Sequence, residues 1–288
     1  MNSSLFTLRS SLNEDALHSS LNKNRLTILG TGNAVVTRCY NTCFILHSEH
    51  SSLMVDAGGG NGILSQLEKA HESLADISHL FVTHAHTDHI LGVVWVLRMV
   101  ASGKGCSGTF HVWGNDKVMR VLHTITDLTF SRKHLSALAE RVAFHELKDG
   151  DSFMAGDISV TCFDIHSTKE KQFGFRATMP DGLVVACLGD EPYNEANRAL
   201  VEHADWLLSE AFCLYADRDR FRPYEKHHST ALDAGRLAAE LGVKHLLLYH
   251  TEDKTLATRR TAYAAEAARE FGGEVCVPDD LDIVELTR

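Results

Sequence analysis

Short apolar runs recur along the chain, bounded by turn-forming residues and separated by longer stretches of helical spacing. Leu26–Leu29, Cys43–Leu46 and Ser52–Val55 read as strands, the last ending at Asp56. Between the first two lies the loop GTGNAVVTRCYNT. Asp56-Ala57-Gly58-Gly59-Gly60 reads as a turn, and Ile63–Leu74 then carries a helical period. His79–Thr83 is a compact apolar strand that runs into His84-Ala85-His86-Thr87-Asp88-His89. Ile90–Val100 reads as a buried helix, Phe110–Trp113 as a strand and Asp116–Ile125 as a helix.

The second half repeats this grammar. Strands are expected at Ile158–Ile165, Gly174–Thr178 and Leu183–Leu188, a helix near Glu195–His203, and a strand at Trp206–Ser209. Ala231–Leu241 is a helix stopped by Gly242, Lys244–Tyr249 a strand, and Ala257–Phe271 a helix closed by Gly272-Gly273. Strands first and helices interleaved later, twice over, predict an α/β fold: an αββα sandwich of two mixed β-sheets flanked by helices. No Pro- or Gly-rich linker divides the halves. The expected organisation is a polar arm, 1–24, before one domain, 25–288.

Composition narrows the class. The chain has 288 residues, 44 % hydrophobic and 23 % charged, as in ordinary soluble globular proteins. No apolar run approaches the ~20 residues of a membrane span. The N-terminal MNSSLFTLRSSLNEDALHSS lacks the apolar core of a secretory signal and the Arg-rich, acid-poor character of a transit peptide, so a cytoplasmic location is expected. Seven scattered cysteines without a CxxC pair suit reduced thiols. A formal net charge of −10 disfavours gripping extended nucleic acid, but leaves room for a small anion at a local cationic site.

Histidine is the compositional anomaly, with 18 in the chain. Most lie in polar or mixed stretches and need no function. The segment 84–89 differs, because four ligand-type side chains follow an apolar strand within six residues. A metal centre needs such crowding, since imidazoles and carboxylates must converge to about 2.0–2.2 Å from the ion. In extended chain, residues two apart point the same way, so His84 and His86 can share one ion. The turn that follows can direct Asp88 and His89 to a second. A His-rich polar turn without metal is the plain alternative.

HxHxDH after a strand resembles the signature of the metallo-β-lactamase superfamily, and the resemblance runs from about Leu26 to the C-terminus. ILGTGNA at 28–34, VDAGGG at 55–60, THAHTDHILG at 83–92 and HST at 228–230 are most similar to its ribonuclease Z and phosphodiesterase branch. The family pattern adds a third histidine, a bridging aspartate and a last histidine, each at a strand end. The matching positions are His166 in DIHST, Asp190 in CLGD and His250 in LLLYH. By resemblance, His84, His86 and His166 bind a first metal, Asp88, His89 and His250 a second, and Asp190 bridges. Strand ends are rigid and hold ligands in fixed geometry. These N and O donors suit Zn, with Mn or Fe also accommodated.

Two bridged divalent ions lower the pKa of a shared water and stabilise charge in an in-line displacement, so attack by metal-bound hydroxide on a phosphodiester is the implied chemistry. A leaving alkoxide still needs a proton. His228, in KHHST, matches the histidine that this branch uses near the leaving group, and Glu210, in LLSEAF, the acidic residue that orients it. The catalytic set is thus Asp88, His228 and Glu210. The plain alternative is a surface histidine beside a helix cap at Ser229 or Thr230.

The resemblance weakens at one place. Transfer-RNA-processing members carry a long arm between the third histidine and the bridging aspartate, and here only Ser167–Gly189 separate His166 from Asp190. A small anionic phosphodiester is therefore the expected substrate. Carboxylic-ester, lactone or thioester hydrolysis on the same metal site is the alternative, followed by transfer RNA 3′-processing and metal binding without turnover. A homodimer fits the branch. Arg218, Arg220 and Arg222 alternate just before His228, and would share one face if the segment is extended, forming a phosphate clamp. Pairing with Asp217, Asp219 and Glu225 is the competing expectation.

Overall fold

The computed structural model describes residues 24–288. The expected arm therefore lies outside the described residues, apart from Asn24. The first sheet holds β1 (Arg25–Gly30), β2 (Cys43–His47), β3 (Ser52–Val55), β4 (His79–Val82), β5 (Phe110–Gly114), β6 (Val142–Glu146) and the C-terminal β14 (Ile283–Glu285), in the order β14-β1-β2-β3-β4-β5-β6. The second holds β7 (Ser152–Ala155), β8 (Ile158–Asp164), β9 (Phe173–Thr178), β10 (Val184–Cys187), β11 (Trp206–Glu210), β12 (His245–Tyr249) and β13 (Glu274–Cys276), in the order β13-β12-β11-β10-β9-β8-β7. In each sheet an antiparallel meander gives way to parallel strands, at β3–β4 in the first and β10–β11 in the second. Both sheets are mixed, as the sequence pattern predicts.

Helices cover the outer faces. α1 (Gly62–Lys69), α2 (Thr87–Ala101), α3 (Asp116–Thr129) and α4 (Arg132–Arg141) accompany the first sheet. The one-turn helices α5 (Arg198–Val201) and α6 (Arg218–Phe221) fall in the second half, with α7 (Ala231–Leu241) and α8 (Leu256–Ala267). Strands sandwiched this way are apolar on both faces. In β2, Phe44 and Leu46 enter the core between the sheets, with Phe175 and Val185 opposite, while Cys43 and Ile45 lie under the helices. On the second sheet, Ala234 and Ala238 of α7 and Ala267 of α8 pack over Leu246 and Leu248. These small residues bring the helices close, and a Cβ on Gly235 would meet the Ala267 carbonyl oxygen at 2.3 Å.

Several expected bounds shift for local reasons. The helix expected over Ile63–Leu74 ends at Lys69, and His71 takes a left-handed φ of 56° just beyond it. The helix expected near Glu195–His203 is a 3₁₀ turn plus one α turn, and His203 is again left-handed at 56°. α4, β6, β7, β13 and β14 have no counterpart among the expected elements. The segment from Asp217 to Lys226 is not extended: α6 and a second short 3₁₀ turn occupy it. Among the described residues no helix is long and apolar enough to cross a membrane.

Candidate metal centre

The expected ligands sit where strands run out. β4 ends at Val82 and leads to His84 and His86; α2 then begins, with Asp88 and His89 in its first turn. A carboxylate there is favoured by the helix dipole. β10 ends just before Asp190, and β12 just before His250, whose backbone is left-handed at φ 58°. Left-handed backbone is costly for a residue with a side chain, and such strain clusters at functional sites.

These ends converge on one carboxylate oxygen. Asp190 Oδ2 lies 3.6 Å from His84 Nε2, 3.5 Å from His89 Nε2 and 3.5 Å from His250 Nε2. Asp88 Oδ2 lies 3.3 Å from His89 Nε2 and 3.7 Å from His250 Nε2. His86 Nδ1 faces His84 Nε2 at 2.9 Å. Among the described residues, three groups have ligand atoms within 4.8 Å of one another: His84, His89 and Asp190; Asp88, His89 and His250; and Glu210, His228 and His250. His84, His89, His250, Asp88 and Asp190 are all buried.

Hydrogen bonds fix which ring nitrogen is free. Asp56, left-handed at φ 54°, accepts the Thr83 N–H at Oδ1 and the Thr83 hydroxyl at Oδ2, both at 2.8 Å. With its proton committed to Asp56, Thr83 Oγ1 must accept from His84 Nδ1 at 2.9 Å. His89 Nδ1 donates to Asp56 Oδ2 at 2.7 Å. Each imidazole thus has its Nδ1 engaged and its Nε2 directed toward Asp190, the orientation metal-bound histidines adopt. Asp190 is oriented in turn by Gln172, whose buried Nε2 donates to Oδ1 at 2.5 Å, leaving Oδ2 toward the histidines.

The residues present fit a cation. His89 Nε2 and His250 Nε2 are buried with no hydrogen-bond partner, an arrangement that costs roughly 1–3 kcal/mol per group unless something satisfies it. The electrostatics agree. Burial would lower the pKa of His89, yet Asp56, with Asp190 and Asp88, holds it well above the ordinary value. Burial would raise Asp190, yet His84, His89 and His250 hold it well below. Burial would raise Asp88 too, yet His250 and His89 beside it hold it low. The carboxylates call for positive charge at the centre of the cluster. His84, by contrast, is pulled well down by burial and stays neutral, as a ligand must.

His166 stands apart. It follows β8 with φ 59°, its backbone N–H donates to Asp164 Oδ1 at 2.7 Å, and its side chain is exposed. Six of the seven expected ligands gather, His86 through its 2.9 Å contact with His84, while His166 belongs to none of the donor groups.

His228 and Glu210 lie against the cluster. The His228 ring is 5.2 Å from that of His250 and stacks on Phe212 at 4.9 Å. Glu210 Oε2 faces His228 Nδ1 at 3.7 Å, both atoms buried and otherwise unpartnered, while Glu210 Oε1 accepts the Ser229 N–H at 2.5 Å. Burial pushes Glu210 up to about 8 and, with His250, pulls His228 down to about 3. The two do not form a carboxylate–imidazolium pair near neutral pH, because desolvation outweighs the pairing. The helix cap beside them is real as well: Thr230 caps α7 in a capping box with Asp233, so His228 precedes a helix start without being exposed.

The phosphate clamp expected of the arginines loses its premise. α6 breaks the alternation, and each arginine has a partner nearby. Arg218 lies 4.0 Å over the Tyr215 ring and donates to its carbonyl at 2.8 Å; Arg220 lies 4.7 Å over Phe221; Arg222 pairs with Glu225 at 3.5 Å. Pairing of Arg222 with Glu225 follows the competing expectation.

A family model described as the beta-lactamase superfamily domain matches residues 52–251. The chain belongs to that superfamily. It is a metal-dependent hydrolase of the metallo-β-lactamase fold. A protein named ribonuclease Z from Myxococcus xanthus is 27 % identical over 91 % of this chain and 97 % of its own length. The human short-form tRNase Z superposes with a TM-score of 0.73 at 22 % identity, covering 92 % of this chain and all of that one. A diphosphatase of the PhnP family superposes at 0.69 with 16 % identity, over 92 % and 98 % of the two chains. Within this superfamily fold, Asp56, Thr83, Gln172 and Phe212 are the residues that strand-end and spacing arguments pass over. Asp56 lay in the VDAGGG turn, and its polar type at a strand end was the available signal.

Proposed function

We propose that this chain is a phosphodiesterase acting on a small phosphodiester, with residues 25–288 as one catalytic unit that holds two divalent ions, zinc by donor type. The observation that carries the reading is the Glu210–His228 pair beside His250, with Glu210 and His228 3.7 Å apart. A departing alkoxide needs a proton, and the pair at the edge of the ligand cluster holds one near neutrality, on the buried Glu210 carboxyl, for His228 to relay. A thiolate leaves without that help, which weighs against thioester hydrolysis. His84, His86, Asp88, His89, Asp190 and His250 would hold the ions, with His166 completing the set from the rim. When bound, divalent ions supply Lewis acidity that activates water and neutralises charge on the phosphoryl group. Asp88 orients the water, Glu210 holds His228 in place, and Phe212 walls the ring against bulk solvent.

A second reading, transfer RNA 3′-processing, is favoured by relatives named ribonuclease Z. The brevity of the 167–189 segment and the net charge of −10 support the small substrate instead. The seven cysteines lie unpaired, five of them buried, a placement that a cytoplasmic enzyme would tolerate without disulfides.

The test uses metal-loaded protein and a panel of bis(4-nitrophenyl) phosphate, an alkyl phosphodiester, a lactone, a thioester and a transfer RNA precursor with a 3′ trailer. Phosphodiesters should turn over fastest. His228→Ala should cut turnover of the alkyl phosphodiester by roughly 10²–10⁴-fold and that of the nitrophenyl ester much less. Equal losses on both leave His228 a binding residue, and dominant turnover of lactone, thioester or precursor RNA overturns the proposal.

A further inference from the structure

The segment after His166 crosses the edge of the ligand cluster as a strap. At one end, Ser167 Oγ donates to Glu191 Oε1 at 2.8 Å and accepts the N–H groups of Lys169 and Glu170 at 3.1 Å. At the other, Glu170 pairs with Lys117, Lys171 pairs with Asp116 at 2.6 Å, and the Lys171 carbonyl accepts from Asn115 at 2.9 Å. Its middle reaches the turn before His228: Thr168 Oγ1 lies 3.4 Å from His227 Nδ1, and Lys169 Nζ donates to the Lys226 carbonyl at 3.0 Å.

Lys169 is the residue this strap presents. Its ammonium also lies 3.3 Å from Glu191 Oε1. Glu191 adjoins Asp190, and Lys226 is two residues from His228, so the charge is held between a side chain flanking the cluster's central carboxylate and the backbone flanking the proposed acid. Lys226 Nζ adds a second positive charge 4.9 Å over Phe212, the ring stacked on His228. Glu191 is the carboxylate that faces Lys169, while Glu225, beside Lys226, pairs with Arg222. An ammonium has three N–H donors. The Lys226 carbonyl and Glu191 account for two, and the side chain is 30 % exposed, which leaves a donor for a ligand. Burial dominates the shifts of Glu210 and His228, but the field of Lys169 acts on both, as it must if it lies close to the pair.

We infer that Lys169 determines specificity by receiving a second anionic group of the substrate, so that the preferred phosphodiesters carry an additional phosphate beyond the scissile one. This inference rests on the phosphodiesterase reading above. It transfers the anion-binding role from the arginines of 218–222 to the strap. In a chain of net charge −10, a fixed ammonium at the site's edge is a local exception to a field that otherwise repels anions.

Metal-loaded wild type, Lys169→Met and Lys169→Arg would be compared in two assays. Calorimetric binding of inorganic pyrophosphate should weaken about 10–100-fold in Lys169→Met, the range of a charge-assisted hydrogen bond, and recover in Lys169→Arg to within about threefold. In kinetics, the KM of a 5′-phosphorylated dinucleotide should rise at least about tenfold more than that of bis(4-nitrophenyl) phosphate in Lys169→Met, with kcat for the dinucleotide largely kept. Metal content and melting temperature, measured in parallel, should match wild type. Unchanged pyrophosphate affinity, equal KM changes on both substrates, or loss of metal with loss of binding would each overturn the role of Lys169. If wild type hydrolyses no phosphodiester at all, the proposed function fails, and the pyrophosphate measurement still decides the binding site.

Discussion

At the scale of single residues, Asp190 has two oxygens in two employments. Oδ2 faces three histidines, and Oδ1 takes the Gln172 amide. Removing the carboxylate takes a ligand atom from the centre of the cluster, whereas removing the amide only frees Asp190 to rotate. Asp190→Ala should therefore lose the most metal of any single-ligand variant by elemental analysis. Gln172→Leu should bind metal about 10–100-fold more weakly, yet refill when metal is raised, as expected of a partner that orients a ligand. Full occupancy in Asp190→Ala sinks the central role of that carboxylate. The contrast between these two residues marks what a sequence discloses. Asp190 was legible because an apolar strand ending at an acidic residue is a pattern. Gln172 was not, because a glutamine before a strand has no spacing rule, and its meaning arises only where β9 brings it beneath Gly189, whose Cβ would meet Gln172 Nε2 at 2.8 Å. His166 is the converse: a legible motif position whose side chain the strap leaves at the rim.

At the scale of elements, the first turn of α2 carries two of the proposed ligands, Asp88 and His89, and must lie hard against the turn after β3. Backbone bonds join them: Ala57 N–H donates to the His89 carbonyl at 3.1 Å, and Gly92 N–H to the Gly58 carbonyl at 2.8 Å. A Cβ on Gly92 would fall 1.8 Å from the Ala57 carbonyl oxygen, so only glycine permits this approach. Gly92→Ala should push the helix away and cost about 1–3 kcal/mol by overpacking. Urea unfolding would measure that loss, and metal titration should weaken alongside it, because Asp88 and His89 ride on the displaced turn. Stability lost with metal affinity intact would mean that the ligands are set by the chain before α2 alone. The elements themselves were legible in proportion to their apolar periodicity. Ala231–Leu241 was read to the residue, since a buried alanine stripe ends at Gly242, left-handed at φ 62°. α4 escaped because only Leu138 is buried on it, and β7 because it alternates exposed and buried over four residues at a sheet edge. The α6 turn was misjudged for a related reason. Alternating arginines look extended, but Asp217 begins a helical turn that ends at a left-handed Arg222.

At the scale of the whole molecule, the two sheets bury one core between them, and an aromatic stack closes that core at the end of β4 remote from His84. His79 stacks on His111 at 4.9 Å, Trp113 on His145 at 3.8 Å and on Phe153 of the opposite sheet at 4.2 Å, while Trp113 Nε1 donates to His79 Nδ1 at 3.3 Å. His111 Nδ1 and His145 Nε2 share a proton at 2.9 Å. Burial, with His111 and His145 adding repulsion, pulls His79 down to about 4, below the ~6.5 of an unfolded histidine. His145 is lowered in the same way, by burial and then by His111. A native state that resists protonation binds fewer protons than the unfolded chain between those values. The stability contributed by a neutral His79 is therefore present above pH ~6.5, declines as pH falls through that value, and is gone below about 4. Other groups contribute to acid unfolding as well, so the stack has to be isolated by difference. His79→Phe keeps a stacking ring and removes the proton site. Urea midpoints of chelator-treated wild type and variant should converge as pH falls from 7.5 toward 4, the wild type losing more. Parallel profiles across that range would show that the sheets are held together in acid independently of this stack.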